Sequence, residues 1–125
     1  MKRIEKRVSI DWEYQLVGGH IWLPYPEMTF YINLTFPQFV EITYNLIIQT
    51  DQQSTMVVRV MIDGTEYVDL RGHDGVTIYP SIFRTSKVYL EKGNHSIRVD
   101  YRVWANAHIY KSDWNSAIFK VSYIE

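Results

Sequence analysis

The chain has no cysteine, and that one absence excludes disulfides, thiolate metal sites and cysteine nucleophiles together. Charge of one sign is lacking too. The 13 Lys and Arg face 14 Asp and Glu, for a formal net charge of −1. Proteins that neutralise phosphates carry a basic excess, so nucleic acid is not an expected partner. No run approaches the roughly 20 apolar residues of a membrane span, so no membrane partner is expected either. The basic start MKRIEKRVSIDWEYQLV has no apolar segment behind it, and the expectation is a chain made in the cytoplasm without a signal peptide. No stretch keeps a helical period, and no internal repeat occurs. His20, His73, His95 and His108 stand apart with no pair at ligand spacing. No Gly-rich phosphate loop is present, and no Ser, His and acid are ordered for nucleophilic catalysis. The sequence therefore points to no enzyme, no metal and no cofactor.

What is abundant is aromatic and alternating. Aromatics make up 15% of 125 residues, with 10 Tyr and 4 Trp, a composition that suits pleated, half-buried surfaces. The length fits one domain, 1–125. The clearest stretch is Lys87 to Val103. Val88 and Leu90 share a phase with Ile97, Val99, Tyr101 and Val103, while Arg98, Asp100 and Arg102 take the opposite one. This reads as an antiparallel hairpin turning at Gly93-Asn94, with one buried face.

The same period marks the rest of the chain. Val8, Ile10, Trp12, Tyr14 and Leu16 form a first strand that places Trp12 and Tyr14 in the core. Met28 to Leu34 form a second, after the extended loop Leu23-Pro24-Tyr25-Pro26, and Val40 to Ile48 a long central one. Met56 to Ile62 is apolar on both faces, so it is expected to be covered on both sides, with a neighbouring subunit as one cover. Asp63-Gly64 signals a hairpin into Thr65 to Leu70. Arg71 to Gly75 reads as a loop, followed by short strands at Val76 to Tyr79 and Ala107 to Tyr110 and a last strand from Ala117 to Ile124. Many short strands separated by Gly, Pro and Asn turns predict an all-β, two-sheet antiparallel β-sandwich of jelly-roll topology.

Three groups of residues carry the functional expectations. Val57, Met61, Phe119 and Tyr123 are expected to be buried by neighbouring copies more than by their own chain. Trp22, Tyr25, Trp104 and Trp114 lie at strand ends or in loops, where exposed rings stack on sugars or on a partner protein and buried ones fill space. Asp69 and Asp74 could offer oxygen ligands to calcium or belong to an ordinary turn. The basic cluster Lys2, Arg3, Lys6 and Arg7 reads as a solvated terminal strand, and the sequons at Asn33 and Asn94 as coincidence.

The run Val88-Tyr89-Leu90-Glu91-Lys92-Gly93-Asn94-His95-Ser96-Ile97-Arg98-Val99-Asp100-Tyr101, followed by Ala117 to Glu125 and preceded by Ile62-Asp63-Gly64, resembles the second half of C1q/TNF-like jelly-roll domains. Versions of that half occur in bacteriophage and bacterial surface proteins. The resemblance implies a non-enzymatic assembly domain: a homo-oligomer, as a trimer, on a virus particle, tail or appendage, in contact with other components of that particle. Carbohydrate-binding jelly rolls and PA14-like domains carry a similar Leu-x-x-Gly segment and Asp-Gly turn. A glycan-binding module using the four aromatic residues is therefore the alternative.

Overall fold

The computed structural model of the chain describes residues 2–111 and 115–125. Alternation becomes strand almost throughout. In chain order the strands are β1 (Arg3–Ile10), β2 (Tyr14–Leu16), β3 (Leu23–Leu34), β4 (Gln38–Ile47), β5 (Ser54–Ile62), β6 (Thr65–Glu66), β7 (Gly72–Thr77), β8 (Ser81–Leu90), β9 (Gly93–Val103), β10 (Ala107–Ile109) and β11 (Ser116–Ile124). Among the described residues one 3-10 turn, Val68–Leu70, interrupts them.

One sheet has the order β1-β11-β4-β8. The other runs β3-β9-β5-β6, with β7 also paired to β5, while β10 and β2 pair apart. Every pairing is antiparallel. From β3 onward the long strands cross between sheets: β3, β5 and β9 lie in one, and β4, β8 and β11 in the other. The apolar phases of both sheets meet in one cluster that includes Val40, Ile42, Tyr44, Leu46, Val58, Val60, Ile97, Val99, Phe119 and Val121. Phe30 of β3 stacks on Phe119 of β11 across the core, with ring centroids 5.0 Å apart and planes at 11°. Each fully buried side chain of this size stabilises the fold by about 1.5–3 kcal/mol.

The expected hairpin between Lys87 and Val103 is instead an arch between sheets. Leu90 pairs with Gln38 of β4, whereas Gly93 pairs with Leu34 of β3. Alternation reports which side of a strand is buried, not which sheet holds it. Two strands facing one core from opposite layers therefore show the same phase as neighbours in one layer. Gly93 still supplies the positive φ, 126°, that the sharp crossing requires.

Other expectations are corrected by partner choice. The first strand breaks after Ile10, because β1 pairs with β11 while β2 pairs with β10. Trp12 in the gap is exposed, and only Tyr14 packs against the core. Much of the segment from Arg71 to Gly75 is strand β7 rather than loop. The extended segment after Gly64 stops at Glu66 and turns into the 3-10 element. Leu23 to Pro26 belongs to β3, whose register with β9 shifts between Pro24 and Thr29. The Asp63-Gly64 turn forms as read, with φ of 52° and 82° and Ile62 opposite Thr65.

Candidate functional site

The outer face of the four-stranded sheet combines large exposed rings with charges of both signs. On β4 the even positions fill the core, so Phe39, Glu41, Thr43, Asn45 and Ile47 point outward. On β8 the outward set is Ser81, Phe83, Thr85, Lys87 and Tyr89. The register then puts Phe39 opposite Tyr89, Glu41 opposite Lys87, Thr43 opposite Thr85 and Asn45 opposite Phe83. Phe39 is 64% exposed and Phe83 54%. Phe39 and Tyr89 meet edge to face at 5.3 Å, and the Thr43 and Thr85 hydroxyls share a hydrogen bond of 2.8 Å.

Two shallow hollows flank these rings. One, of about 120 Å³, is lined by residues that include Arg3, Phe39, Glu41, Lys87 and Ile124. The other, of about 130 Å³, includes Arg7, Asn45, Phe83, Ile118 and Lys120. The result is a relief of raised rings and adjacent hollows, which suits rigid protein docking. The sequence signal was an aromatic residue in the polar phase of an amphipathic strand, and reading for core positions alone passes over it.

The residues singled out from sequence scatter. Tyr25 is a core residue, 1% exposed. Its hydroxyl shares a hydrogen bond of 2.5 Å with that of Tyr14, and its ring meets Tyr101 edge-on. Burial pushes both hydroxyls up, that of Tyr14 to about 12. Trp22 lies on the outer face of the other sheet beneath a cluster of guanidinium groups, with Arg59 at 4.2 Å, Arg102 at 4.9 Å and Arg71 at 5.6 Å from the ring centroid. Those cations occupy the ring as cation–π partners. Trp104 is exposed and pairs edge-on with His20. Trp114 lies outside the described residues. Trp22, Tyr25 and Trp104 do not come together as one platform.

Phe119 is fully covered by its own chain and Tyr123 nearly so, because the odd positions of β11 face the core. That leaves Phe119 no surface for a partner to cover. Val57 and Met61 do face outward and are half-buried. Their cross-strand neighbours are Arg102 and His73 for Val57, and Arg98 and Glu66 for Met61. Long arginine stems beside them explain how an apolar outer face is tolerated in part without a second chain.

Polar residues elsewhere brace the backbone. Asp74 accepts from the amides of Gly75 and Ser81 through its two oxygens, which braces the turn between β7 and β8. Among the described residues no group of three or more His, Asp or Glu is placed to hold a metal ion. No helix there is long and apolar enough to cross a membrane. His95 lies between the Asp63 carboxylate, 2.6 Å from Nδ1, and the Glu91 carbonyl, 2.7 Å from Nε2, and so ties the β5–β6 turn to the arch.

Two antiparallel sheets crossed in alternation, over one core, define a jelly-roll β-sandwich. Several solved structures are similar to the chain. The chain is similar to the VP2 subviral particle of infectious bursal disease virus, with 7% identity, a TM-score of 0.55 and coverage of 97% of this chain and 32% of that one. It is also similar to the CBM36-1 domain of a multidomain xylanase from the hindgut metagenome of Trinervitermes trinervoides, with 13% identity, a TM-score of 0.49 and coverage of 98% and 99%. A third is a β-glucosidase from Paenibacillus barengoltzii, with 11% identity, a TM-score of 0.44 and coverage of 82% and 10%. The chain thus spans about a third of the virus protein and a tenth of the β-glucosidase. No protein-family model matches it, and no curated protein matches it by sequence. At such identities the virus likeness shows a shared fold.

Proposed function

We propose that this chain is a non-enzymatic structural domain that assembles with copies of itself on the outside of a virus particle, tail or surface appendage, as a trimer of the C1q/TNF-like kind. One observation carries the reading: the outer face of the four-stranded sheet exposes Phe39, Tyr89, Phe83 and Ile47 together. Isolated exposed apolar residues are ordinary, but several large rings on one strand pair mark a docking surface. A second copy is the occupant favoured. The same face carries Glu5 and Glu41 beside Arg3, Arg7, Lys87 and Lys120, so it offers charges of both signs to a neighbouring copy docked head-to-tail around a threefold axis. The jelly-roll fold, shared with a subviral particle protein, suits a building block of this kind. Other components of the same particle are the remaining partners, with no role for nucleic acid or lipid.

The test is the native mass in multi-angle light scattering. The expected result is three times the 14.9 kDa of one chain, falling to one chain in the double variant Phe39→Ser, Phe83→Ser with unchanged circular dichroism. A monodisperse monomer at micromolar concentration would overturn the reading.

A further inference from the structure

A second surface is built for a different kind of partner. Between the edge strands of the two sheets lies a groove of about 510 Å³ lined by Lys6 of β1, Tyr31, Ile32 and Asn33 of β3, Asn94, His95 and Ser96 of β9, and Tyr123 of β11. Its size falls within the roughly 300–1,000 Å³ of small-molecule sites. Its chemistry is polar. Tyr31 sits opposite Ser96 and Asn33 opposite Asn94, so one exposed ring, one hydroxyl and two planar amides form a two-by-two grid. Tyr31 is 73% exposed, and it is the most open of the large rings named on this fold.

None of these four side chains makes a hydrogen bond within the described residues, whereas the neighbouring polar groups do. Lys6 Nζ donates to the Tyr31 carbonyl at 2.7 Å, which fixes the ammonium at the rim and leaves it further N–H groups. The Asp63 carboxylate accepts from the Ser96 amide at 2.9 Å and from the His95 ring, bracing the wall that carries Asn94 and Ser96. The lining has a fixed cation and no carboxylate.

A bare ring beside paired amides and a hydroxyl matches a pyranose, whose C–H face stacks on aromatics while its hydroxyls both donate and accept. A held ammonium with no opposing acid matches a carboxylate on that sugar. From this geometry we infer that the groove binds an acidic saccharide, with Tyr31 as the stacking wall, Asn33, Asn94 and Ser96 as hydroxyl partners and Lys6 as the carboxylate partner. Glycan recognition then runs through the β3–β9 edge rather than through Trp22 and Tyr25. Its binding groups are other residues than the rings Phe39, Phe83 and Tyr89 proposed for assembly.

Isothermal titration of the full chain with four probes tests this: 3′-sialyllactose and digalacturonate as acidic sugars, lactose and cellobiose as neutral ones. At least one acidic probe is expected to bind saturably, at least about tenfold tighter than either neutral one. Tyr31→Ala and Asn94→Ala are each expected to weaken it about tenfold or more, and Lys6→Gln to bring acidic and neutral probes together. Trp104→Ala, on a distant exposed ring, should leave binding unchanged. The inference fails if no probe binds below about 10 mM. It also fails if neutral sugars bind as well as acidic ones, or if binding survives both Tyr31→Ala and Asn94→Ala. The native mass is untouched by any of these outcomes, so the assembly reading stands or falls separately.

Discussion

His95 sits between two acceptors, and a neutral imidazole can donate to only one of them. Burial alone would lower its affinity for a proton, but the Asp63 carboxylate and the Glu91 carbonyl outweigh that and hold it above the ordinary 6.5. Asp63 is opposed by its own burial yet held below the ordinary 3.8 by the His95 ring and the Ser96 amide. The histidine's contribution to stability is complete below 6.5 and lost as pH rises through its higher folded value. That of the aspartate is complete above 3.8 and lost as pH falls through its lower folded value. The pair therefore supports the fold most between 3.8 and 6.5. Melting temperatures of His95→Gln should fall short of the parent's by roughly 4 °C in that window, about 1 kcal/mol for a pair with a half-exposed carboxylate. The gap should narrow toward about pH 9; a gap constant with pH would refute the charged latch. A second residue-scale test concerns Asp100, whose side chain is 2% exposed. It takes hydrogen bonds from Arg59 Nε at 3.1 Å and from Arg98 Nε at 2.6 Å. Asp100→Ala strands two guanidinium groups and should cost about 3 kcal/mol in urea unfolding. Arg98→Ala leaves Arg59 to neutralise the carboxylate and should cost about 1 kcal/mol. The reverse order of costs would show that the acid is not the centre of that cluster.

At the scale of elements, β7 shows what a sequence hides. Gly72 reads as loop punctuation, yet a Cβ there would lie 2.5 Å from Cγ2 of Ile82 and 2.8 Å from the hydroxyl of Tyr44. That hydroxyl donates to the Leu70 carbonyl at 2.6 Å. Gly72→Ala should therefore destabilise by about 1–3 kcal/mol through overpacking. The exposed Gly75 has nothing within 4 Å of such a Cβ and should accept alanine within about 0.5 kcal/mol. Thermal unfolding of the two variants checks the contrast. The strands β4, β5, β9 and β11 were legible, because their inward residues alternate without interruption and one face is buried along the whole length. The arch at Leu90 to Gly93, the break at Asp11 to Glu13 and the strand character of β7 were not. Each depends on which distant strand lies alongside, and local periodicity carries no record of that. The aromatic face was half legible. Phe39, Phe83 and Tyr89 stand in the wet phase of their strands, but only the β4–β8 register reveals that they are neighbours. Tyr31 was readable as outward-facing, whereas its meeting with Asn33, Asn94 and Ser96 needed the β3–β9 pairing.

For the whole molecule, assembly changes the meaning of stability. If copies associate only when folded, each association step draws material from the unfolded pool, and the melting temperature rises with protein concentration. A monomer lacks that dependence. Scans between about 1 and 100 μM should show a steady upward shift of several degrees for the parent chain. Phe39→Ser with Phe83→Ser should flatten it. Both rings are more than half exposed in the single chain, so their loss removes contacts between copies while leaving the core cluster intact. The double variant should melt no more than a few degrees below the parent at high dilution, since within the single chain it gives up only the edge-on contact of Phe39 with Tyr89. If it melts well below that point, the two rings hold up their own sheet, and the face they occupy is not where copies meet. If parent and variant both keep a constant melting temperature over that hundredfold range, the domain works alone.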